Sequence, residues 1–260
     1  MNAHDLKGRV VVVTGGAGLL GQCFAKAIAI AGGLPVLADV RLDAAEDCSR
    51  QINETIGEEQ SCAIGIDITD KQSITKAIDE IKSRFGRIDA LVSNAYPRNE
   101  NYGRRFEDVA FSDFCENVSL HLGGYFHAAQ QFASFFKEQG DGHIITMASV
   151  YGIIAPRFEI YENTEMTMPV EYAAIKSALI HLNKYMLHYF RGSGIRFNCL
   201  SPGGILDHQP QPFMEKYNSF AQSKGMLSPE DLTSTLLFLL SEKSKYLNGQ
   251  NIVVDDGWSV

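Results

Sequence analysis

The chain has 260 residues, 45% of them hydrophobic and 21% charged, with a formal net charge of −8. This is the balance of one soluble globular domain with ample material for a core. Its acidity argues against non-specific nucleic-acid binding and against an anionic membrane surface, both of which call for a basic face. No apolar run reaches the roughly 20 residues of a spanning helix, and the opening MNAHDLKGR holds no apolar signal core. Five scattered cysteines (Cys23, Cys48, Cys62, Cys115, Cys199) form no C-x-x-C pair, which suits reduced thiols in a cytoplasm and no disulfide or metal framework.

Val10 to Val13 is a β-branched run of the kind buried in a parallel sheet. Thr14, Gly15, Gly16, Ala17 and Gly18 break it, and Leu19 to Ala31 resumes at helical spacing. Strand, glycine turn and helix form the context in which glycines hold a pyrophosphate. Gly15 suits the tight turn, Gly18 the close approach of backbone to phosphate, and Gly21 the packing of helix on strand. Leu19 and Leu20 open the helix whose N-terminus faces the anion. A second apolar run, Leu34 to Ala38, ends at Asp39. A carboxylate there accepts hydrogen bonds from a ribose 2′-OH and repels a 2′-phosphate, which favours NAD over NADP. Arg41 argues the other way, and a solvated Asp starting a loop is the structural alternative.

Further along, Asp43 to Ile56 reads as a polar helix, Ser61 to Ile66 as strand three, and the stretch after Asp67 through Phe85 as a helix. Arg87 to Ser93 is strand four, followed by the loop Asn94 to Pro97. A long helix, roughly Asp113 to Lys137, leads to strand five at Gly142 to Ala148. Val170 to Phe190 is helical, Ile195 to Leu200 is strand six, a Ser-Pro-Glu-Asp cap at Ser228 starts the last helix, and Asn251 to Val254 is the final strand. The alternation predicts a doubly wound, mostly parallel seven-stranded α/β sheet with helices on both faces, in a single domain over 1–260. Ligands in such sheets bind beyond the carboxyl ends of the strands.

Chemistry is expected where Tyr172 and Lys176 share one helix face, four residues apart. A phenol becomes a useful base only when neighbouring positive charge favours the phenolate. Such a Tyr passes a proton to or from a substrate oxygen, and Ser149, at the end of strand five, can donate a hydrogen bond to the same oxygen. A packed aromatic beside a surface cation is the alternative for the pair taken alone.

With these pieces in place the sequence resembles the short-chain dehydrogenase/reductase family over essentially its whole length. The matching pieces are T-G-G-A-G-L-L-G (14–21), Asp39, Asp67 in G-I-D-I-T, S-N-A-Y (93–96), Ser149, Tyr172-x-x-x-Lys176, Ser201-Pro202-Gly203-Gly204 and the tail N-G-Q-N-I-V-V-D-D-G (248–257). The resemblance implies a Rossmann-type fold, hydride exchange between a nicotinamide cofactor and an alcohol/carbonyl pair, and a homo-oligomer, tetramer or dimer. It also implies that Asp67 touches the adenine, Asn94 lines the cofactor site, Lys176 bonds the nicotinamide ribose, and Pro202 and Gly203 flank the nicotinamide. Ile68, Ala95 and Ile205 are counted with these as cofactor-binding.

Three departures from the family stand out. The glycine spacing is T-G-x-x-G-x-x-G, the form of longer sugar-nucleotide members, while length and tail match the compact branch. His121 stands where the family often has an Asn that holds a proton-relaying water; with an unperturbed pKa near 6.5 it can relay protons itself, or else pack inside the helix layer. Ser149 and Tyr172 are separated by an insert, Arg157 to Met168, of a kind that carries specificity. The region Ile205 to Met226 reads either as a lid or as packing against a neighbouring subunit.

Behind Asn94, the arginines Arg98, Arg104 and Arg105 suit phosphate or carboxylate, and Tyr96 and Tyr102 in the same stretch suit a base or sugar. Pairing of these arginines with nearby acids is the alternative. Tyr151, in S-V-Y-G, is a further substrate candidate. The combination resembles short-chain members found with bacterial surface-polysaccharide and flagellin sugar-modification genes, which implies a phosphorylated or nucleotide-linked sugar substrate. A sugar epimerase or dehydratase using NAD transiently, and a non-catalytic NAD-binding scaffold, are the competing readings.

Overall fold

The computed structural model describes residues 6–260; the first five residues of the stretch read for a signal core lie outside them. Seven strands run parallel in the order β3-β2-β1-β4-β5-β6-β7. They are β1 (Val10–Thr14), β2 (Leu34–Asp39), β3 (Cys62–Gly65), β4 (Ala90–Ser93), β5 (Gly142–Met147), β6 (Ile195–Pro202) and β7 (Asn251–Val254). β1 is buried at every position, as a central strand covered on both faces must be. Val10 and Val12 face a layer made by α3 (Lys71–Phe85), α5 (Gly124–Gln139) and α6 (Val170–Tyr189). Val11 and Val13 face α1 (Leu19–Ile30) and α8 (Thr233–Leu240), while α2 (Leu42–Ile56) covers Leu37 on the same side. The strand order reverses between β1 and β4, which opens a crevice at the carboxyl edge of the sheet.

The structure shortens or divides several of the expected elements. β4 starts at Ala90, because Arg87 and Asp89 do other work: Asp89 Oδ2 accepts the Val10 N–H at 2.7 Å, and Arg87 pairs with Asp89. The long helix is α4 (Phe111–Asn117) and α5 joined in line by a π-helical stretch, Val118–Gly123, which carries His121. The cap at Ser228 opens a 3₁₀ turn, Pro229–Leu232, closed by a Ser228/Asp231 capping box, before α8 begins.

An unforeseen helix, α7 (Gln211–Asn218), starts after Pro210. It joins the insert and the C-terminal tail in a satellite core of Val150, Ile160, Phe213, Tyr217, Met226 and Trp258. The Tyr217 ring stacks on Trp258 with centroids 4.7 Å apart, Trp258 Nε1 donates to the Tyr217 carbonyl at 3.1 Å, and Arg157 donates to the Trp258 carbonyl at 3.2 Å. The insert is therefore polar in composition but docked through its apolar minority. Within 205–226, Phe213, Tyr217 and Met226 are the residues buried in this core.

Candidate active site

A cavity of 1110 Å³ lies in this crevice, walled by the loops that follow β1 to β6. At one end is the glycine loop. Gly15 has φ +65°, a left-handed conformation that side chains disfavour. A Cβ on Gly21 would sit 2.0 Å from the Gly15 carbonyl oxygen, so α1 docks on the loop only because that position is bare. The N-cap of α1 is Gly18, and no side chain caps it, leaving a positive helix end turned to the cavity.

Two residues hold the loop in place. Asp39 Oδ2 accepts the Ala17 N–H at 3.0 Å. Asn94 Nδ2 donates to the Thr14 carbonyl at 3.1 Å, and Thr14 Oγ1 accepts the N–H groups of Asn94 at 2.9 Å and Ala95 at 3.2 Å. Asn94 is thus a clamp between β1 and β4 as well as a wall residue. Asp39 Oδ1 accepts the Arg41 N–H at 3.0 Å, with Arg41 Nε 3.8 Å away and its guanidinium exposed. Asp67 spends Oδ1 on the N–H and hydroxyl of Thr69, at 2.8 and 2.7 Å. Leu19, Leu20, Ile68, Ala95, Pro202, Gly203 and Ile205 line the same cavity. Bare glycines, an uncapped helix end and a carboxylate at the tip of β2 fit a dinucleotide.

At the other end α6 brings Tyr172 and Lys176 together, with Lys176 Nζ 5.4 Å from the centre of the Tyr172 ring, and Ser149 lines the same wall. Lys176 is buried and donates to the Met147 carbonyl at 2.8 Å. Burial pushes its ammonium down to about 7. Burial also raises the Tyr172 phenol, against a hydrogen bond with Ser149 that lowers it. Both groups of the chain alone are thus driven toward their neutral forms.

His121 lies behind this wall. Its ring sits edge-on to Tyr96 at 4.9 Å and tilted against Tyr125 at 5.1 Å, and both ring nitrogens are buried without a protein partner. Burial, helped by the Lys176 charge, holds its pKa well below the usual 6.5. The π-helical stretch aims the ring inward, among Tyr96 and Tyr125, and burial favours the neutral imidazole.

Of the three arginines only Arg98 reaches the cavity. Its guanidinium stands over the rings of Tyr96 and Tyr102, 5.0 and 6.0 Å from their centres, with no ion pair among the described residues. Arg104 turns away to Asn101 and to Asp113, 3.7 Å distant, and Arg105 is exposed beyond the cavity wall. Expected together, the arginines are separated because Asp113 neutralises Arg104. Tyr151 lines the cavity, its hydroxyl 3.0 Å from that of Tyr161. Sequence reading missed Tyr161, Met166, Met168, Phe213, Tyr217 and Met226 as wall residues. Their signal was large apolar side chains inside otherwise polar stretches.

The fold and crevice define a Rossmann-type α/β protein with a dinucleotide-shaped site. The chain belongs to the short-chain dehydrogenase/reductase family: residues 16–259 match the family model described as Enoyl-(Acyl carrier protein) reductase. It is 38% identical over 256 residues to Post-translational flagellin modification protein A of Campylobacter coli, covering 98% of this chain and 100% of the relative. A short chain dehydrogenase from Leptospira borgpetersenii with bound NAD+ superposes with TM-score 0.86 at 28% identity, over 98% of this chain and 94% of the other. A gluconate 5-dehydrogenase from Burkholderia cenocepacia, in complex with NADP and tartrate, gives TM-score 0.86 at 26% identity, over 98% and 96%.

Proposed function

We propose that this chain is an NAD(H)-dependent oxidoreductase that interconverts an alcohol and a carbonyl on a phosphorylated or nucleotide-linked sugar. The observation that carries the reading is that Ser149, Tyr172 and Lys176 share one cavity with Gly15, Gly18 and Asp39. Gly15, Gly18, Leu19 and Leu20 would hold the pyrophosphate, Asp39 the adenosine ribose, and Asp67 with Ile68 the adenine. Asn94, Ala95, Pro202, Gly203 and Ile205 would border the nicotinamide half. Bound NAD+ supplies the hydride acceptor and a positive ring that favours the phenolate form of Tyr172.

Tyr172 takes the proton from the substrate hydroxyl as the hydride leaves carbon, and returns it in the reverse direction. Lys176, held on the Met147 carbonyl, would support the phenolate and bond the ribose. Ser149 donates to the substrate oxygen. His121, a neutral imidazole that accepts at one nitrogen and donates at the other, carries protons behind Lys176. Asp39 supports NAD over NADP, because its buried carboxylate and a 2′-phosphate repel. Arg98, over Tyr96 and Tyr102 in the cavity that Tyr151 and Tyr161 also line, supports a substrate that joins an anion to a ring with hydroxyls. The Campylobacter coli relative, named for flagellin modification, supports a sugar. Exposed Phe111, Tyr185 and Tyr189 on α4 and α6 support a homo-oligomer, and five unpaired cysteines support a reducing cytoplasm.

The test is absorbance at 340 nm with NAD+ and a panel of hexose phosphates and nucleotide sugars. Net NADH formation is the expected result. Sugar conversion without net NADH identifies an epimerase or dehydratase, and no conversion together with NADH binding identifies a scaffold.

A further inference from the structure

Glu171 precedes Tyr172 and has no part in the chemistry above. Its side chain is 1% exposed in the first turn of α6, where the positive helix end favours a carboxylate. Oε1 accepts from Asn117 Nδ2 at 3.4 Å, and Oε2 is buried without a protein partner. Asn117, the last residue of α4, passes the contact onward. Its Nδ2 also donates to Asn99 Oδ1 at 3.1 Å, and its Oδ1 accepts the Asn99 N–H at 2.9 Å. Asn99 Oδ1 accepts the Asn101 N–H at 3.1 Å, and Asn99 Nδ2 donates to Asp113 at 3.0 Å and Glu116 at 2.7 Å. This knot ties the catalytic helix and α4 to the loop that carries Tyr96 and Arg98. The Tyr96 ring stands edge-on to Tyr172, centroids 5.8 Å apart, so a small shift of the loop changes the reacting end of the cavity. Buried polar networks specify one arrangement when joined and lose it when a member is removed.

We propose that Glu171 is a positioning residue: through Asn117 it fixes Asn99 and thereby holds Tyr96 and Arg98 over the substrate end of the cavity. The proposal rests on reading that end as the substrate site, but its main test needs no substrate. Amide hydrogen exchange is followed by mass spectrometry on the full-length protein, with NADH affinity measured in parallel. Glu171→Ala is expected to speed exchange in peptides covering Asn99 to Asn101 by about tenfold or more, with the 14–21 loop and NADH affinity unchanged. Glu171→Gln, which keeps an oxygen acceptor for Asn117, restores protection. Unchanged exchange at 99–101 in Glu171→Ala overturns the proposal. So does an equal rise in every peptide that Glu171→Gln fails to reverse.

Should Glu171→Ala not fold, Asn99→Ala cuts the same link in a surface loop and must free peptides over 96–105; wild-type protection there overturns the proposal. With any sugar phosphate oxidised in the absorbance assay, Glu171→Ala raises KM more than it lowers kcat, and the opposite split contradicts positioning. Absence of turnover in the wild type would sink the proposed function and leave the exchange result standing.

Discussion

Burying Lys176 with one carbonyl as its hydrogen-bond partner costs stability, because the folded chain prefers this amine neutral while the unfolded chain protonates it. With a folded pKa of about 7 against the ordinary lysine value of 10.5, the penalty is complete below pH 7. It fades as pH rises toward the unfolded value, where both states lose the proton. Lys176→Met is therefore expected to raise Tm most at pH 6 and least at pH 10, while turnover collapses; thermal melts across that range check it. Such a trade of stability for activity marks a group retained for function. Tyr172→Phe is expected to lose at least about a hundredfold in turnover, the range of a lost general acid–base, with NADH affinity held within a few-fold. A mutant as active as the wild type removes the assigned base. The arginines divide in the same way: Arg98→Ala raises KM for an oxidised sugar phosphate by about tenfold, as expected for a lost charge-assisted hydrogen bond. Arg104→Ala, already neutralised by Asp113, leaves KM nearly unchanged.

At the scale of elements, the contact between α1 and the glycine loop is set by bare backbone. Gly21→Ala would drive a methyl group into the Gly15 carbonyl, and the expected result is loss of NADH binding, read by nicotinamide fluorescence, in a less stable protein. Ile160→Ala empties a fully buried site in the satellite core and is expected to cost about 2–4 kcal/mol, read by denaturant unfolding.

These two elements also show what a sequence discloses. α1, β1 and β2 were legible because strand, glycine turn and helix are local patterns, and β-branched runs such as Val10 to Val13 are buried on both faces. Ser149, Tyr172 and Lys176 were singled out through the family resemblance, because their spacing alone leaves a packed aromatic beside a surface cation open. α7 and the docking of the insert were not, since Ile160, Tyr217 and Trp258 become a core only when three distant segments meet. The burial of the His121 ring was hidden for the same reason: it depends on Tyr96, Tyr125 and the inward turn of a π-helical stretch. Arg104 was misplaced because its partner, Asp113, lies in another element.

Across the whole molecule, the reversal of strand order between β1 and β4 places a bare helix end, the Asp39 carboxylate and the Tyr172–Lys176 pair along one crevice. With a net charge of −8, the crevice offers an anion only local positive groups, among them the α1 terminus, Arg41 and Arg98. On the proposed function, this crevice holds NAD(H) with its ribose read by Asp39. Titration of NADH and of NADPH into the purified protein, followed by nicotinamide emission, tests it most directly. Binding of NADH at least about tenfold tighter, a difference of roughly 1.4 kcal/mol, is the predicted result. Tighter binding of NADPH would hand the choice of cofactor to Arg41, and binding of neither would contradict the account.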